Sequence, residues 1–203
     1  MTLNLLSAFA LFALVSSITP GPNNTMLLAS GVNFGLRRTI PHALGVSLGF
    51  MVLVLAVGLG LGQVFEVLPW AYTALRYLGA AYLLYLAWRI ANSGPIADSG
   101  AETSKPITFL GAAAFQWVNP KAWVMAVGAI TTYTPAQGYI YNVFIISLVF
   151  AIVNLPSVFV WAGFGSALRN VLRQPRWLRL FNWGMAILLV LSLYPLLQTQ
   201  HPV

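Results

Sequence analysis

Two short polar stretches interrupt apolar segments of this sequence, and their residue types could bind a small charged molecule. The first reads TPGPNN (residues 19–24) and the second reads NPK (119–121). Asparagine and lysine are costly to bury in an apolar medium. Each proline leaves the carbonyl four residues earlier without its helical donor, which predicts open carbonyls at Ser16, Ile18 and Gln116. Open carbonyls and free helix N-termini together suit a zwitterion, which carries one ammonium and one carboxylate.

The side chains beside these prolines are the predicted polar contacts, whereas the prolines and the glycine open the backbone. Lys121 is the only basic residue deep within an apolar run, and the apolar segments contain no carboxylate to pair with it. Its charge holds the carboxylate of a substrate, pairs with backbone carbonyls of the facing break, or does both. Asn154, close to Pro156 in another apolar segment, either lines the same site or marks a packed kink. The predicted binding residues are Pro20, Gly21, Pro22, Asn23, Asn24, Asn119, Pro120, Lys121 and Asn154.

The composition indicates that a lipid bilayer surrounds this site. Of the 203 residues, 59% are hydrophobic and only 6% are charged, whereas a soluble domain carries about 25% charged residues. The sequence has no cysteine, two histidines and three acidic residues, so no metal or other cofactor is predicted. The net charge of +7 comes from short basic runs between apolar segments, which is typical of membrane proteins and does not indicate nucleic-acid binding.

Six segments are long and apolar enough to span a membrane as helices. They are residues 4–28, 40–65, 69–91, 107–131, 139–163 and 180–198. A loop is predicted between the first two segments, at residues 31–39, and the spacing of Gly45 and Gly49 predicts close helix packing. The sequence therefore predicts an all-α membrane protein with one transmembrane domain over residues 1–203.

The basic residues predict how the chain crosses the membrane. With six spans, eight of the ten basic residues lie on the side of the first, third and fifth loops. The positive-inside rule places that side in the cytoplasm and both termini on the opposite side. A cleaved signal peptide over residues 1–18 is the alternative, but no basic residue precedes the apolar run and no A-x-A site follows. The eight residues are Arg37, Arg38, Arg89, Lys105, Arg169, Arg173, Arg176 and Arg179.

The two interrupted segments lie at corresponding positions in the two halves of the chain. The polar stretch at residues 92–106 separates one repeat, about residues 1–98, from another, about residues 103–203. Three spans per half is an odd number, so two copies of one fold must run in opposite directions. Pro20 and Pro120 lie about 20–25 Å into spans that run in opposite directions, so the two breaks are expected to flank the bilayer midplane. Two inverted three-helix repeats with a midplane site are typical of secondary transporters.

The sequence around these motifs resembles one transporter family over essentially the whole chain. TPGPN followed by NPK, together with LGVSLGF (44–50) and GAAYLLYLAW (79–88), is similar to the LysE/RhtB family of amino-acid exporters. TPGPNN, GVSLGF and KPITF (105–109) look most like the branch that exports cysteine and O-acetylserine. The resemblance implies a multi-pass protein of the bacterial inner membrane that exports small neutral amino acids or derivatives, of the cysteine, O-acetylserine, homoserine or threonine type, by proton antiport. It leaves open whether the chain forms a homo-oligomer.

Proton antiport requires a proton carrier, and the sequence offers two candidates that are both predicted to be peripheral. His42, at the start of the second span, is either a proton carrier or an interfacial residue. Glu66 is either a proton carrier or a plain loop charge. The absence of a carboxylate from the spans favours a neutral substrate over a basic one.

Other functions fit this sequence less well, because they require residues that it lacks or leave its paired helix breaks unexplained. An exporter of metal or other ions would require clustered histidine, cysteine or acidic residues. A membrane enzyme would require a nucleophile with a base, or a pair of carboxylates, near the membrane surface. A non-transporting membrane partner protein would not need paired helix breaks beside a buried lysine. Export of another small solute or ion, or a partner role, is the alternative to amino-acid export.

Overall fold

The helices of the computed structural model follow the predicted apolar segments. The structure describes residues 1–61, 67–93, 105–172 and 174–194, and within these ranges it contains helices and no strand. A π-helical segment, Val57–Leu61, directly follows the third α-helix. In chain order the α-helices are α1 Leu3–Ile18, α2 Pro22–Phe34, α3 Leu36–Ala56, α4 Pro69–Ala91, α5 Phe109–Gln116, α6 Pro120–Tyr133, α7 Tyr139–Leu168 and α8 Pro175–Leu191.

Both predicted helix breaks are confirmed. The axes of α1 and α2 meet at 54° across the break before Pro22. In the second half, α5 ends at Gln116 and α6 begins at Pro120. Proline suits the first position of a helix because its missing N–H has no intrahelical partner to lose there. The same residue type that ends one half-helix therefore starts the next.

The loop predicted at residues 31–39 is wrong. Only Gly35 separates α2 from α3, and its φ of 76° lies in the left-handed region that glycine adopts without penalty. Hydropathy predicts only the apolar part of a helix, whereas α3 begins before that part, at Leu36, and includes Arg37 and Arg38.

Two later helices also differ from their predicted bounds. The segment predicted at 139–163 forms a longer helix, α7, which extends to Leu168 and runs through Pro156 without interruption. The segment predicted at 180–198 is helical from Pro175 to Leu191. The added first turn of α8 includes Arg176 and Arg179, which a hydropathy criterion leaves out, whereas the added end of α7, residues 164–168, contains Gly165 and Ser166.

The helix α7 is the centre of the packing. It contacts α1, α2 and α3, while α3 also packs on α5 and α4 packs on α8. A Cβ atom on Gly165 of α7 would lie 3.2 Å from the Cα atom of Gly31 and would overlap the carbonyl of Leu28. Gly45 and Gly49 allow the same close approach of α3 to α5, as their spacing predicted. Small residues thus bring the helices that surround the two breaks together.

Aromatic side chains fill the space between α1, α3 and α7. Phe150 is fully buried, with its ring centroid 5.3 Å from that of Phe9 and 4.8 Å from that of Phe50, both in edge-to-face geometry. Such pairs add about 0.5–1.5 kcal/mol to the free energy of burial. This cluster fixes the helices on one side of the breaks.

Two helices of the described residues, Leu36–Leu61 and Tyr139–Leu168, are each long and apolar enough to cross a membrane. The broken pair α1 and α2 gives a third candidate span. Large apolar side chains such as Leu11 and Val124 are exposed, and a surface of this kind fits contact with lipid. The chain is therefore an all-α membrane protein.

Candidate functional site

A polar pocket lies where the two helix breaks meet. Its empty volume, which includes space open to the surroundings, is about 340 Å³, and it is lined by the break between α1 and α2, the start of α6, and residues of α3 and α7. Six of the nine predicted binding residues line it, whereas Pro20, Pro22 and Pro120 shape the backbone beside it. The lining residues are Ser16, Ser17, Gly21, Asn23, Asn24, Phe50, Asn119, Lys121, Ala122, Met125, Asn154 and Val158.

The ammonium group of Lys121 links α6 to the facing break. Its Nζ atom donates to the carbonyl oxygen of Thr19 at 2.8 Å, to Thr19 Oγ1 at 2.9 Å and to the carbonyl oxygen of Pro20 at 3.3 Å. An ammonium has three N–H donors, and these three acceptors match them. Gly21 lets the side chain pass, because a Cβ there would lie 2.8 Å from Lys121 Cδ. The predicted pairing of Lys121 with carbonyls of the facing break is therefore observed.

Asn24 closes the break from within α2. Its Nδ2 atom donates to the carbonyl oxygens of Ser17 and Thr19, each at 2.8 Å. Asn24 is buried, and both acceptors lie in the last turn of α1 or just past it. The asparagine thus replaces part of the helical hydrogen bonding that the prolines remove.

The carbonyls expected to be open are occupied by protein groups, so that expectation is wrong. Thr19 Oγ1 donates to the carbonyl oxygen of Ser16 at 2.9 Å, and the indole Nε1 of Trp161 donates to that of Ile18 at 3.1 Å. The carbonyl of Gln116 accepts from the backbone N–H of Asn119 at 3.4 Å. An unpaired buried carbonyl costs about 1–3 kcal/mol, and hydroxyl, indole and backbone donors of the protein supply the missing bonds.

A pair of amides joins the two breaks directly. Asn23 Nδ2 donates to Gln116 Oε1 at 2.8 Å, and Gln116 Nε2 donates back to Asn23 Oδ1 at 3.1 Å. Gln116, which is fully buried, was not among the predicted binding residues. Its position three residues before the NPK motif was the available signal. Asn119, the first residue of the NPK motif, caps α6 by accepting the N–H of Lys121 at 3.2 Å.

Asn154 presents a buried hydrogen-bond acceptor beside the pocket. Its Nδ2 atom donates to Ser17 Oγ at 3.1 Å, while its Oδ1 atom has no hydrogen-bond donor among the described residues. The residue is only 6% exposed. Because α7 is unbroken here, Asn154 contacts the site from a continuous helix and not from a kink.

Of the two proton-carrier candidates, only His42 lies among the described residues, and its surroundings differ from those predicted. His42 is fully buried, and neither ring nitrogen has a partner in the described part of the chain. The expectation of a peripheral histidine is wrong because α3 begins at Leu36, which places His42 nearly two turns inside the helix. His42 does not line the pocket. Glu66 lies outside the described residues.

Comparisons with known proteins agree with the resemblance seen in the motifs. Residues 14–194 match the family model described as LysE type translocator. The chain is 36% identical over 195 residues to the cysteine/O-acetylserine efflux protein of Escherichia coli strain UTI89, covering 94% of this chain and 96% of that relative. The proteins of the same name from Escherichia coli K12 and Shigella sonnei Ss046 are each 35% identical with the same coverage. No solved structure gives a significant match to the chain.

Proposed function

Because the chain belongs to the LysE family of translocators and is therefore a transporter and not an enzyme, we propose that it exports small neutral amino acids or their derivatives. Cysteine and O-acetylserine are the first candidates, since full-length relatives carry these names, and homoserine and threonine are of similar size and charge. One observation carries the assignment of the site. The two helix breaks meet at one pocket that contains a lysine and several side-chain amides.

The substrate carboxylate is proposed to lie against the start of α2 and Lys121. Among the described residues no side chain caps the N-terminus of α2, and the backbone N–H groups of Asn23 and Asn24 are proposed to bind an anion there. A helix N-terminus favours negative charge through its unpaired N–H groups and its dipole. Lys121 adds a full positive charge at the same pocket.

The substrate ammonium is proposed to donate to Asn154 Oδ1, the buried acceptor without a donor. The apolar side chains of Phe50, Met125 and Val158 line the same pocket and provide contacts for a small uncharged side chain. None of the described lining residues is acidic. A basic side chain would therefore lack the carboxylate that it needs in an apolar medium.

Substrate binding is proposed to loosen the link between the two halves of the molecule. In this structure Lys121 bonds to Thr19 and Pro20 across the breaks. A bound carboxylate competes with those carbonyls for the same ammonium group. Each exchange of partners would change how firmly α6 is held to the break between α1 and α2, and this change is the proposed trigger for alternating access.

The proposal includes six spans in two inverted repeats, about residues 1–98 and 103–203, in the bacterial inner membrane with both termini periplasmic. What supports the repeat is the order of the helices: a broken pair, a long helix and a further helix occur in each half. The basic residues, among them Arg37, Arg38, Arg169 and Arg176, support the orientation by the positive-inside rule.

Export from intact cells tests the proposed function. Cells that overproduce the protein are expected to accumulate extracellular cysteine or O-acetylserine faster than cells with an empty vector, with threonine and leucine measured in parallel. Asn23→Ala and Lys121→Ala, present in the membrane in the same amount as the parent protein, should reduce this extracellular accumulation. If no amino acid exceeds the empty-vector level, the proposed function is wrong; if both variants export like the parent, only the site is wrong.

His42 is proposed to carry the proton that drives export. A proton antiporter exports faster when the periplasmic side is more acidic than the cytoplasm, because protons then enter down their gradient. In proteoliposomes, His42→Gln is expected to lose this stimulation by the proton gradient. It should still transport substrate down the concentration gradient of the substrate itself. Glu66→Gln serves as the comparison for the second candidate. A His42→Gln protein that is stimulated as strongly as the parent would exclude the histidine as the carrier.

A further inference from the structure

A second cavity lies beside the face of α2 that points away from α7. Its empty volume, which includes space open to the surroundings, is about 380 Å³, and it lies between α2, the end of α4 and residues 105–107. Ser30 and Asn33 of α2 supply polar lining, and Arg89 and Lys105 supply two positive charges. No acidic residue is among its described lining residues. A cavity with this lining is suited to a small anion.

Arg89 is held in place by contacts that use only one of its N–H donors among the described residues. Its Nη2 atom donates to the backbone carbonyl of Lys105 at 2.6 Å, and its guanidinium lies 5.9 Å from the ring centroid of Tyr85. Among the described residues no other acceptor bonds to this guanidinium. Arginine binds a carboxylate through two parallel N–H bonds. The Arg89 guanidinium therefore keeps donors with which it could bind a carboxylate.

The second cavity and the central pocket lie along the same face of α2. Asn23 lines the central pocket, and Met26, Ser30 and Asn33 line the cavity. Steps of three, four and three residues keep side chains on one helix face. Asn23 and Ser30 are about 10 Å apart along the axis. Met26, 1% exposed, lies between them, and methionine is a flexible side chain that adapts its shape.

We propose that this cavity is a second binding site for the transported amino acid, in which Arg89 and Lys105 hold its carboxylate before it moves past Met26 to the central pocket. The cavity lies where α2 and α4 end, which the basic residues assign to the cytoplasmic side. An exporter takes up its substrate from that side. This inference rests on the proposed function and adds to it an entrance site with its own carboxylate partner.

Transport kinetics in proteoliposomes test the entrance site. O-acetylserine and its carboxamide analogue, which lacks the carboxylate, are offered separately at the cytoplasmic face. Arg89→Gln is expected to raise the KM for O-acetylserine about tenfold, as loss of a charge-assisted bond implies. The same variant should leave the KM for the carboxamide unchanged. Arg89→Lys, which keeps the charge, should lie between parent and Arg89→Gln.

The matched control is Arg37→Gln, which removes an exposed positive charge from the start of α3 at the same end of the molecule. It should change neither KM. Equal changes in both KM values with Arg89→Gln would show a structural role for the arginine and overturn the inference. An unchanged KM for O-acetylserine in a variant that still transports would also overturn it. Failure of the parent protein to transport O-acetylserine would instead contradict the proposed function.

Discussion

Replacing Lys121 by methionine is expected to reduce the initial rate of export by about 100-fold, at equal amounts of protein in the membrane. Methionine keeps most of the side-chain volume but removes the ammonium that bonds to Thr19 and Pro20. Each hydrogen bond to a charged group contributes about 1.5–3 kcal/mol, and about 1.4 kcal/mol corresponds to a factor of ten. The rate is measured with purified protein in liposomes. A rate within twofold of the parent would show that Lys121 does not contact the substrate.

A second measurement separates binding by Lys121 from a purely structural link. A ligand that binds only the folded protein raises its melting temperature. O-acetylserine should therefore raise the melting temperature of the parent protein in detergent but not that of Lys121→Met. Arg37→Gln is the control for a lost charge and should respond like the parent. If Lys121→Met melts earlier but is still stabilised by O-acetylserine, the lysine holds the helix breaks together without binding substrate.

Gly165→Ala is expected to destabilise the folded protein by about 1–3 kcal/mol or more. The added methyl would overlap the carbonyl oxygen of Leu28 and lie 3.2 Å from the Cα atom of Gly31. Both neighbours are backbone atoms of α2, so no side chain can rotate away and the two helices must separate. Since α2 forms one wall of the pocket, export should fall together with stability.

Gly163→Ala is the matched control for this prediction. It makes the same change two residues earlier in α7, where a Cβ atom would meet no atom of the other described helices within 4 Å. Alanine is a better helix former than glycine by about 1 kcal/mol, so stability should stay equal or rise. Thermal unfolding in detergent measures both variants. Equal melting temperatures for Gly165→Ala and Gly163→Ala would contradict the tight packing of α2 on α7.

The helix breaks and their lysine could be predicted from sequence because each depends on local chemistry. Proline interrupts a helix wherever it occurs, and a lysine without an acidic partner must find carbonyls, water or substrate. The bounds of α4, Pro69–Ala91, also match the predicted segment. These predictions needed no knowledge of which helices pack together.

The remaining features of the site depend on contacts between distant parts of the chain. Trp161 reaches the carbonyl of Ile18 across 143 residues, and Asn23 pairs with Gln116 across 93 residues. Neither pair has a sequence motif of its own. The single-residue turn at Gly35 was missed for a different reason, because charged residues continue a helix beyond the apolar stretch that hydropathy detects.

The pocket between the two helix breaks can be tested as the substrate site by chemical labelling. The chain contains no cysteine, so one introduced cysteine reports on one position. Met125→Cys places a thiol in the pocket lining, and Thr131→Cys places one on an exposed position of the same helix. Labelling by a small thiol reagent is followed with and without O-acetylserine, which has no thiol of its own.

Saturating O-acetylserine is expected to slow labelling of Met125→Cys several-fold and to leave labelling of Thr131→Cys unchanged. An equal labelling rate with and without substrate, in a Met125→Cys protein that still exports O-acetylserine, would show that the substrate binds outside this pocket.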